Sequence, residues 1–239
     1  MNFKRLIRKC IASSFIVRAK ALPCFSQAGE DIIVNYLLQQ LKIKNPTYLD
    51  IGTNFPVQGN NTYFFYNKGF RGVCIEPDPS LFEQIKKTRP SDILLNAGIG
   101  FDDSKEADFY IFPHPYTGWN TFSKEEADSR QKLTGIAIKE VRKLPLKNIN
   151  EVIANYFNPH PNFISIDVEG LDLIILQTLD FDKFKPEIIC AETITFSLTN
   201  NEAKRNDIIE FLQLKGYFVF ADTHINTIFC RVDAHKKTA

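Results

Sequence analysis

The sequence predicts an α/β fold of the doubly wound, Rossmann-like type, with a mostly parallel seven-stranded sheet and helices on both faces. Short apolar runs alternate along the chain with helical patterns, which is the order of a parallel sheet with crossover helices. The first such unit, residues 48–79, has a glycine turn after its first strand and an acid after its second, as nucleotide-binding units do. With 239 residues and 44% hydrophobic content, the chain is long enough for one domain with a full core.

Each element has its own signal in the sequence. The helix before the first strand is predicted over residues 31–41, from apolar residues at helical spacing. Further helices begin at turn or capping residues and are predicted over 62–66, 79–87, 148–157, 171–179 and 201–214, the last with a cap. The predicted strands are apolar or alternating runs at 48–51, 71–75, 93–95, 107–112, 136–144, 162–166, 187–191, 217–221 and 227–232. The last two strands are expected to pair at the closing end of the sheet.

The first unit contains the features of a ribose-binding site. Its strand ends at Asp50 and Gly52, where the chain must turn without a side chain in the way. Glu76 ends the second strand, 24 residues after Gly52 (76 − 52). An acid at this position of a doubly wound sheet accepts hydrogen bonds from ribose hydroxyls. We therefore expect Glu76 to bind the ribose of a cofactor.

The glycine pattern argues against a dinucleotide. A pyrophosphate is bound by the backbone of a G-x-G-x-x-G turn, whereas this chain has Asn54 in place of the second glycine. Asp50 places a carboxylate at the same strand end, which repels a pyrophosphate but pairs with an ammonium group. S-adenosylmethionine carries ribose, adenine and an amino-acid group but no phosphate. It is therefore the predicted cofactor.

These motifs together resemble one known family, the FkbM-type S-adenosylmethionine-dependent methyltransferases. The order and spacing of several segments carry the resemblance, namely residues 50–54, 61–62, Gly69, Gly72, 75–77 and 166–170, with outer matches at 26–31 and 226–229. The resemblance implies a class I methyltransferase fold and O-methylation, often of a sugar or polyketide hydroxyl, as in polysaccharide biosynthesis. It also implies that residues 26–239 form a single methyltransferase domain.

Six residues are predicted to bind the cofactor, and they are Asp50, Gly52, Asn54, Glu76, Asn96 and Asp167. Asn96 follows the third strand, where its amide can meet the adenine edge or stabilise the turn. Asp167 follows the strand at 162–166, and ligands of open α/β sheets bind beyond these carboxyl ends.

Three acids, Asp167, Glu169 and Glu192, follow two of the later strands. Alternation places Asp167 and Glu169 on one side if the strand stays extended through them. Such carboxylates take a proton from an acceptor hydroxyl, bind a divalent metal, or cap the next helix. We take Asp167 as a catalytic base, expect Glu169 and Glu192 to contact the substrate, and name all three as the ligands of any metal, although a metal is not favoured.

Residues 101–158 exceed what a minimal sheet needs, and such insertions usually carry substrate specificity. Their loop contains Tyr116, Trp119 and Asn120, an aromatic surface with hydrogen-bonding groups that suits a sugar, although an aromatic anchor of the fold is the alternative. His114 in the same loop is the second predicted catalytic base. His224 is predicted to contact the substrate or to lie in a turn between the last two strands.

Charge is unevenly distributed along the chain. Residues 1–25 hold six basic and no acidic residues, which leaves 23 basic and 28 acidic residues, or −5, for the rest. This basic arm is expected to pack on the domain or to lie on an anionic membrane surface, consistent with a cytoplasmic protein at the inner face of a membrane. The acidic remainder has no basic stripe, which argues against nucleic-acid binding. Five scattered cysteines predict neither a zinc site nor disulfides.

The leading prediction is an O-methyltransferase that acts on a hydroxyl of a glycan or another small molecule. One alternative is a nucleotide-sugar or NAD enzyme with a similar sheet, against which the missing phosphate-binding turn argues. The other is a catalytically silent, membrane-associated binding module, against which the acids at three strand ends argue.

Overall fold

The computed structural model describes residues 22–197 and 201–237. The predicted basic arm, residues 1–25, therefore lies almost entirely outside the described residues. The helices are α1 Glu30–Gln40, α2 Tyr63–Asn67, α3 Pro79–Thr88, α4 Lys124–Thr134, α5 Ile149–Tyr156, α6 Asp172–Thr178, α7 Asn206–Leu214 and α8 Val232–Lys236, with a 3₁₀ turn at Tyr116–Trp119. The strands are β1 Tyr48–Ile51, β2 Gly72–Ile75, β3 Ile93–Leu95, β4 Gly98–Gly100, β5 Glu106–Ile111, β6 Glu140–Asn148, β7 Phe163–Ile166, β8 Ile188–Glu192, β9 Tyr217–Asp222 and β10 Asn226–Arg231.

The main sheet has seven strands in the order β3-β2-β1-β7-β8-β10-β9. Strands β3, β2, β1, β7 and β8 are parallel to one another, and β10 runs antiparallel to both β8 and β9. The predicted mostly parallel seven-stranded sheet is therefore confirmed, including the antiparallel pair at its closing end. Among the described residues, no helix has the length and apolar character needed to span a membrane.

Both faces of the sheet are covered by helices, because alternate strand residues are buried on opposite sides. Leu49 and Ile51 belong to the core that α5, α6 and α7 cover. Tyr48 belongs to the second core, with side chains of α1, α2, α3 and α8. Three cysteines, Cys74, Cys190 and Cys230, are buried and free.

The insertion contributes β5 and β6 to a small second sheet, whose order is β4-β6-β5. Strand β6 begins at Glu140, four residues later than predicted, and pairs antiparallel with β5. The final large helix also begins later than predicted, at Asn206, and no side chain caps it. The residues just before Asn206, which were expected to begin the helix, instead bond to the segment after β8. The Arg205 N–H donates a hydrogen bond to the Thr193 carbonyl.

Candidate active site

The candidate site lies beyond the carboxyl ends of β1, β2 and β7, at the position where ligands of open α/β sheets bind. The turn after β1 begins at Gly52, which has a φ of +80°. A Cβ atom on Gly52 would lie 1.9 Å from the Asp167 carbonyl oxygen, so the turns after β1 and β7 touch. Glycine is required there both for this contact and for the left-handed backbone. Gly52 was predicted from the sequence because the chain turns there. The close approach of the Asp167 carbonyl is a second reason why this position requires glycine.

Glu76 is buried at the end of β2 and holds the first turn in place. One carboxylate oxygen accepts a hydrogen bond from Asn54 N–H at 2.7 Å, and the other accepts one from Asp78 N–H at 2.8 Å. Asn54 has a left-handed φ of +54°, the conformation that a glycine would adopt at this point. Burial raises the pKa of Glu76 to about 8, against the opposing effect of the two backbone donors. Each oxygen retains a lone pair that a ligand hydroxyl can use.

A cavity opens between these turns and the insertion. Its polar lining includes Asn54, Glu76, Thr117, Asn120 and Asp167. Its apolar lining comes from the sheet, from α3 and from the small second sheet, and includes Ile51, Ile75, Pro77, Leu81, Ala97, Phe109 and Phe122. We call it the cofactor cavity.

The cofactor cavity contains polar atoms without partners. Within 22–197 and 201–237, six buried side-chain polar atoms have no hydrogen-bond partner. Three of them, Asn54 Oδ1, Thr117 Oγ1 and Asp167 Oδ1, belong to residues that line this cavity. Buried polar groups are normally hydrogen-bonded, so this concentration indicates a place where a polar ligand completes the bonding.

Two of the predicted cofactor residues have other partners in the structure. Asp50 is not among the residues that line the cofactor cavity, and its Oδ2 atom accepts a hydrogen bond of 2.6 Å from Thr62 and lies 3.6 Å from Arg89. Burial raises the pKa of Asp50, and Arg89 is the largest opposing influence. Asn96 donates its amide to the Glu76 and Pro77 carbonyls at 2.8 and 2.9 Å, which is the turn role.

A second cavity adjoins the first on the side of the insertion. Its lining includes Trp119, Arg130, Glu169, Glu192 and Phe196. Glu169 lines both cavities. We call the second one the acceptor cavity, because a molecule bound there would face the contents of the first.

The three predicted acids meet where the two cavities join. Carboxylate oxygens of Asp167, Glu169 and Glu192 all lie within 4.8 Å of one another, an arrangement that could hold a metal ion. They meet although β7 ends at Ile166 and Glu169 has a left-handed φ of +57°, so the chain is not extended through the acids. The convergence of the acids is therefore produced by a turn and not by strand alternation.

The acids differ in their partners. Glu169 accepts a hydrogen bond of 2.7 Å from Arg130, whereas Asp167 Oδ1 has none. Burial raises the pKa of Glu169 to about 7 and the pKa of Glu192 to about 11. The pKa of Asp167 is raised well above its ordinary value by burial and by repulsion from Glu169. A carboxyl group with a pKa near 7, such as Glu169, is partly ionised and can accept a proton near neutral pH, whereas Glu192 keeps its proton there.

The aromatic loop forms one wall of the site. Trp119 stacks on Tyr116 with ring centroids 4.4 Å apart and meets Phe196 edge to face. Asn120 accepts from Phe112 N–H and donates to Asp78, so it fixes the loop while it lines the cofactor cavity. The loop is therefore an aromatic anchor of the fold that also borders the cavities, and its contact with a substrate stays a prediction.

The two predicted histidines lie elsewhere. His114 is exposed and does not line the cofactor or the acceptor cavity. His224 lies in the turn between β9 and β10 with a φ of +77°, and its side chain is 71% exposed. Of the two predicted catalytic residues, the structure therefore brings only Asp167 to the cavities.

A family model, the methyltransferase FkbM domain, matches residues 50–219. The chain belongs to the FkbM methyltransferase family. The matched range begins at Asp50 and includes both cavity-lining turns and the whole insertion. No curated protein significantly matches the sequence.

Several solved methyltransferase structures resemble this FkbM-family chain at low identity. One is an O-methyltransferase from Bacillus cereus in complex with SAH, with 13% identity and a TM-score of 0.42, covering 95% of this chain and 88% of the other. Another is a methyltransferase from Geobacter sulfurreducens, with 11% identity and a TM-score of 0.44 over 93% and 87% of the two chains. A third is the magnesium protoporphyrin IX methyltransferase from Synechocystis PCC 6803 with bound SAH, with 7% identity and a TM-score of 0.43 over 84% and 81%.

Sequence reasoning missed three residues of the FkbM-family site. Thr117 lines the cofactor cavity, and Arg130 binds Glu169 from α4, a helix that was not predicted. Arg89 holds the Asp50 network from the end of α3. The only sequence signal for Arg130 is the Glu126–Arg130 pair at helical spacing, which an exposed helix shows equally well.

Proposed function

We propose that this FkbM-family protein is an S-adenosylmethionine-dependent O-methyltransferase that acts on a hydroxyl of a glycan or another small-molecule acceptor. One observation carries the proposal. Three buried polar atoms without partners line a single cavity beside the buried carboxylate of Glu76, at the end of the sheet where such folds bind nucleoside ligands.

The residues present fit this cofactor. Glu76 has free lone pairs for ribose hydroxyls, and the apolar wall around Leu81 and Phe109 suits a purine ring. The atom Asn54 Oδ1 is an unpaired acceptor, as an ammonium group requires. When bound, S-adenosylmethionine supplies a methyl group on a sulfonium centre. Asp50, predicted to pair with the ammonium group, is occupied by Thr62 and Arg89.

The acceptor hydroxyl would reach this methyl group from the acceptor cavity. Its oxygen forms the new bond to carbon as the carbon–sulfur bond breaks, so the protein must hold the reactants in line and exclude water. Asp167 is the group we assign to accept the hydroxyl proton, because it lies at the junction of the cavities and its Oδ1 atom has no other partner. The indole of Trp119, which lines the acceptor cavity and stacks on Tyr116, supports a sugar acceptor.

Calorimetric titration with S-adenosylmethionine and S-adenosylhomocysteine tests the cofactor. We expect micromolar binding that weakens at least about tenfold in Glu76→Ala, because hydrogen bonds to a buried carboxylate are lost. The matched control is Glu83→Ala, an acid of α3 whose side chain is 55% exposed. Absence of binding to the wild-type protein would refute the proposed function.

Methyl transfer itself needs an acceptor screen. Release of S-adenosylhomocysteine with neutral glycans, but not with amine or thiol acceptors, would support O-methylation. Transfer to nitrogen or sulfur alone would keep the cofactor and reject the hydroxyl acceptor.

A further inference from the structure

A further groove lies between the loop after β1 and the aromatic loop. Its lining is formed by residues 54–59 after β1, by Gln27, and by the aromatic loop, including Tyr116 and Trp119. Its volume is about 670 Å³, within the range of pockets that bind small molecules. We call it the loop groove. The proposed methyl transfer takes place between the other two cavities and leaves the loop groove without a role.

The loop groove borders both cavities of the site. Asn54 and Gly118 line it together with the cofactor cavity. A Cβ atom on Gly118 would lie 3.7 Å from Asn54 Nδ2, so the two loops meet at this point. Trp119 lines the loop groove together with the acceptor cavity. A chain-like molecule bound in the acceptor cavity can therefore continue past Trp119 into the loop groove.

The loop groove has an uncharged lining. Among the described residues that form it there is no aspartate, glutamate, lysine, arginine or histidine, although the first four types make up 24% of the chain. The acceptor cavity differs, because four glutamates and two arginines line it. A phosphate or carboxylate in the loop groove would meet no compensating cation. Its charge therefore matches that of a neutral ligand.

The loop groove also presents aromatic rings and free amide groups. Phe55 is 38% exposed, and Tyr116 adds a second ring. The side-chain amides of Gln27 and Gln58 are exposed, and they have no hydrogen-bond partner within the part of the chain that the structure describes. An amide both donates and accepts hydrogen bonds, as hydroxyl groups do, while an aromatic ring packs on the apolar face of a sugar. Together these groups suit a neutral sugar.

Both walls of the loop groove are fixed by buried or bonded asparagines. Asn60 is only 3% exposed, and its Nδ2 atom donates to the Phe55 carbonyl at 3.3 Å. The Asn60 N–H donates to the Phe25 carbonyl at 3.0 Å, which ties the segment containing Gln27 to the same loop. Asn120 fixes the aromatic loop through its two hydrogen bonds. A preformed surface of this kind loses little conformational entropy when a ligand binds.

We propose that the loop groove is a subsite for the neighbouring sugar units of a neutral glycan chain, whose reacting sugar occupies the acceptor cavity. This inference rests on the proposed function and narrows its acceptor to an uncharged oligosaccharide or polysaccharide. Phe55 and Tyr116 pack on sugar rings in this assignment, and Gln27 and Gln58 exchange hydrogen bonds with hydroxyl groups. These four residues determine specificity and take no part in the chemistry.

Retention of the full chain on an array of immobilised glycans tests the proposal, with and without S-adenosylhomocysteine. The array holds neutral, carboxylated and phosphorylated glycans of one to six sugar units. The variants are Phe55→Ala and the double variant Gln27→Ala/Gln58→Ala. The control is Tyr156→Ala, because Tyr156 is an aromatic residue of similar exposure, 42%, that lies on α5 and does not line the loop groove. Thermal unfolding checks that each protein is folded, and calorimetry measures binding of S-adenosylhomocysteine.

We expect the wild-type protein to retain neutral glycans of three or more units, and to retain charged chains and single sugars much more weakly. Phe55→Ala should weaken this retention about fivefold or more, because a ring contact is lost. The double glutamine variant should have a similar effect, because hydrogen bonds to hydroxyl groups are lost. In all variants the affinity for S-adenosylhomocysteine should stay within about threefold, since none of the substituted residues lines the cofactor cavity.

Three results of the array would overturn the proposal. They are preferential retention of charged glycans, retention of neutral glycans that neither groove variant weakens, and absence of retention of any neutral glycan. Other occupants are tested with a photoreactive side chain, Phe55→benzoylphenylalanine. A cross-link from this position to residues 1–21 or to a second copy of the chain, and not to a glycan, would show that protein fills the loop groove and would also overturn the proposal.

The two proposals can fail separately. If the wild-type protein binds S-adenosylhomocysteine but retains no neutral glycan, the cofactor assignment stands and the loop groove is not a glycan subsite. If neutral glycans are retained through Phe55 while S-adenosylhomocysteine does not bind, the proposed function fails and the loop groove remains a glycan-binding site.

Discussion

Asp50 and Asp167 lie at the ends of two directly paired strands, yet they have opposite surroundings. Asp50 belongs to a buried network in which Arg89, fully buried, contacts Asp50, Asn60, Thr62 and Asp92. Asp167 lies where two cavities join, close to two other acids, and one of its oxygens has no partner. We call the side chains around Asp50 the closed network, because they bond to one another. We call Asp167, Glu169 and Glu192 the open group, because they border the cavities.

The comparison indicates that hydrogen-bond partners, more than position in the sheet, distinguish a carboxylate that holds the fold from one that is free to bind a ligand. Asp50 holds the first turn because its Oδ2 atom accepts hydrogen bonds from Thr62 and Asn60 and lies close to Arg89. An unpaired buried carboxylate costs stability unless a ligand or a proton completes it. Proteins retain such groups at functional sites.

The largest effect is expected from opening the closed network. Arg89→Met removes the cation that lies 2.9 Å from Asp92 and 3.6 Å from Asp50, and leaves two buried acids without compensation. We expect a loss of about 3–5 kcal/mol in the free energy of unfolding, as for broken buried ion pairs. Urea denaturation followed by circular dichroism measures it. Adding Asp92→Asn should recover part of the loss, and a loss below about 1 kcal/mol would show that the network is not structural.

A somewhat smaller effect is expected where the two regions touch. In Gly52→Ala, the new methyl group would overlap the Asp167 carbonyl and the backbone would keep a φ of +80°. We expect a loss of about 2–4 kcal/mol, from backbone strain and overpacking together. The matched control is Gly135→Ala, which has a similar φ of +72° but no atom within 4 Å of the new methyl group. Equal losses in the two variants would show that the contact between the turns contributes nothing.

Much of the difference between Asp50 and Asp167 could not be predicted from the sequence, for identifiable reasons. The boundaries of β1 and β3 were predicted correctly because apolar runs between turn residues define them. The face on which Asp50 lies follows from alternation with Tyr48, but the position of the cavity depends on how the insertion packs. The role of Asp50 was therefore not accessible from its strand alone.

The convergence of the acids was predicted, but its cause was not. Asp167, Glu169 and Glu192 were grouped because strand ends of a parallel sheet share one edge. The ion pair that gives Glu169 a partner joins it to Arg130 across 39 residues, and nothing local in a polar helix marks its arginine as buried. Contacts of this kind come from tertiary packing, which sequence periodicity does not describe.

The open group should also reveal itself in the pH dependence of stability. Glu169 and Glu192 have pKa values raised by burial to about 7 and about 11. The folded protein thus keeps protons that the unfolded chain releases near its ordinary pKa of 4.5. This contribution to stability is complete below pH 4.5 and is lost as the pH rises through the folded values.

Glu192→Gln isolates one of these protons. Between pH 6 and pH 9 the free energy of unfolding of the Glu192→Gln variant should fall less steeply than that of the wild type. The two slopes should differ by up to about 1.4 kcal/mol per pH unit. Urea midpoints at four pH values measure the slope, and Glu83→Gln on the exposed face of α3 is the control. Parallel profiles for Glu192→Gln and wild type would place Glu192 in contact with solvent and remove it from the open group.

The smallest effect on stability is expected at Asp167 itself. Asp167→Asn removes a buried carboxyl group whose Oδ1 accepts no hydrogen bond, so few interactions are lost and repulsion from Glu169 is relieved. We expect the free energy of unfolding to stay within about 1 kcal/mol of the wild type. Thermal unfolding at pH 8, where Glu169 is mostly ionised, is the most sensitive measurement, because the relief of repulsion is then largest. A loss comparable to that of Arg89→Met would mean that Asp167 is a structural carboxylate, and the contrast between the closed and the open group would no longer hold.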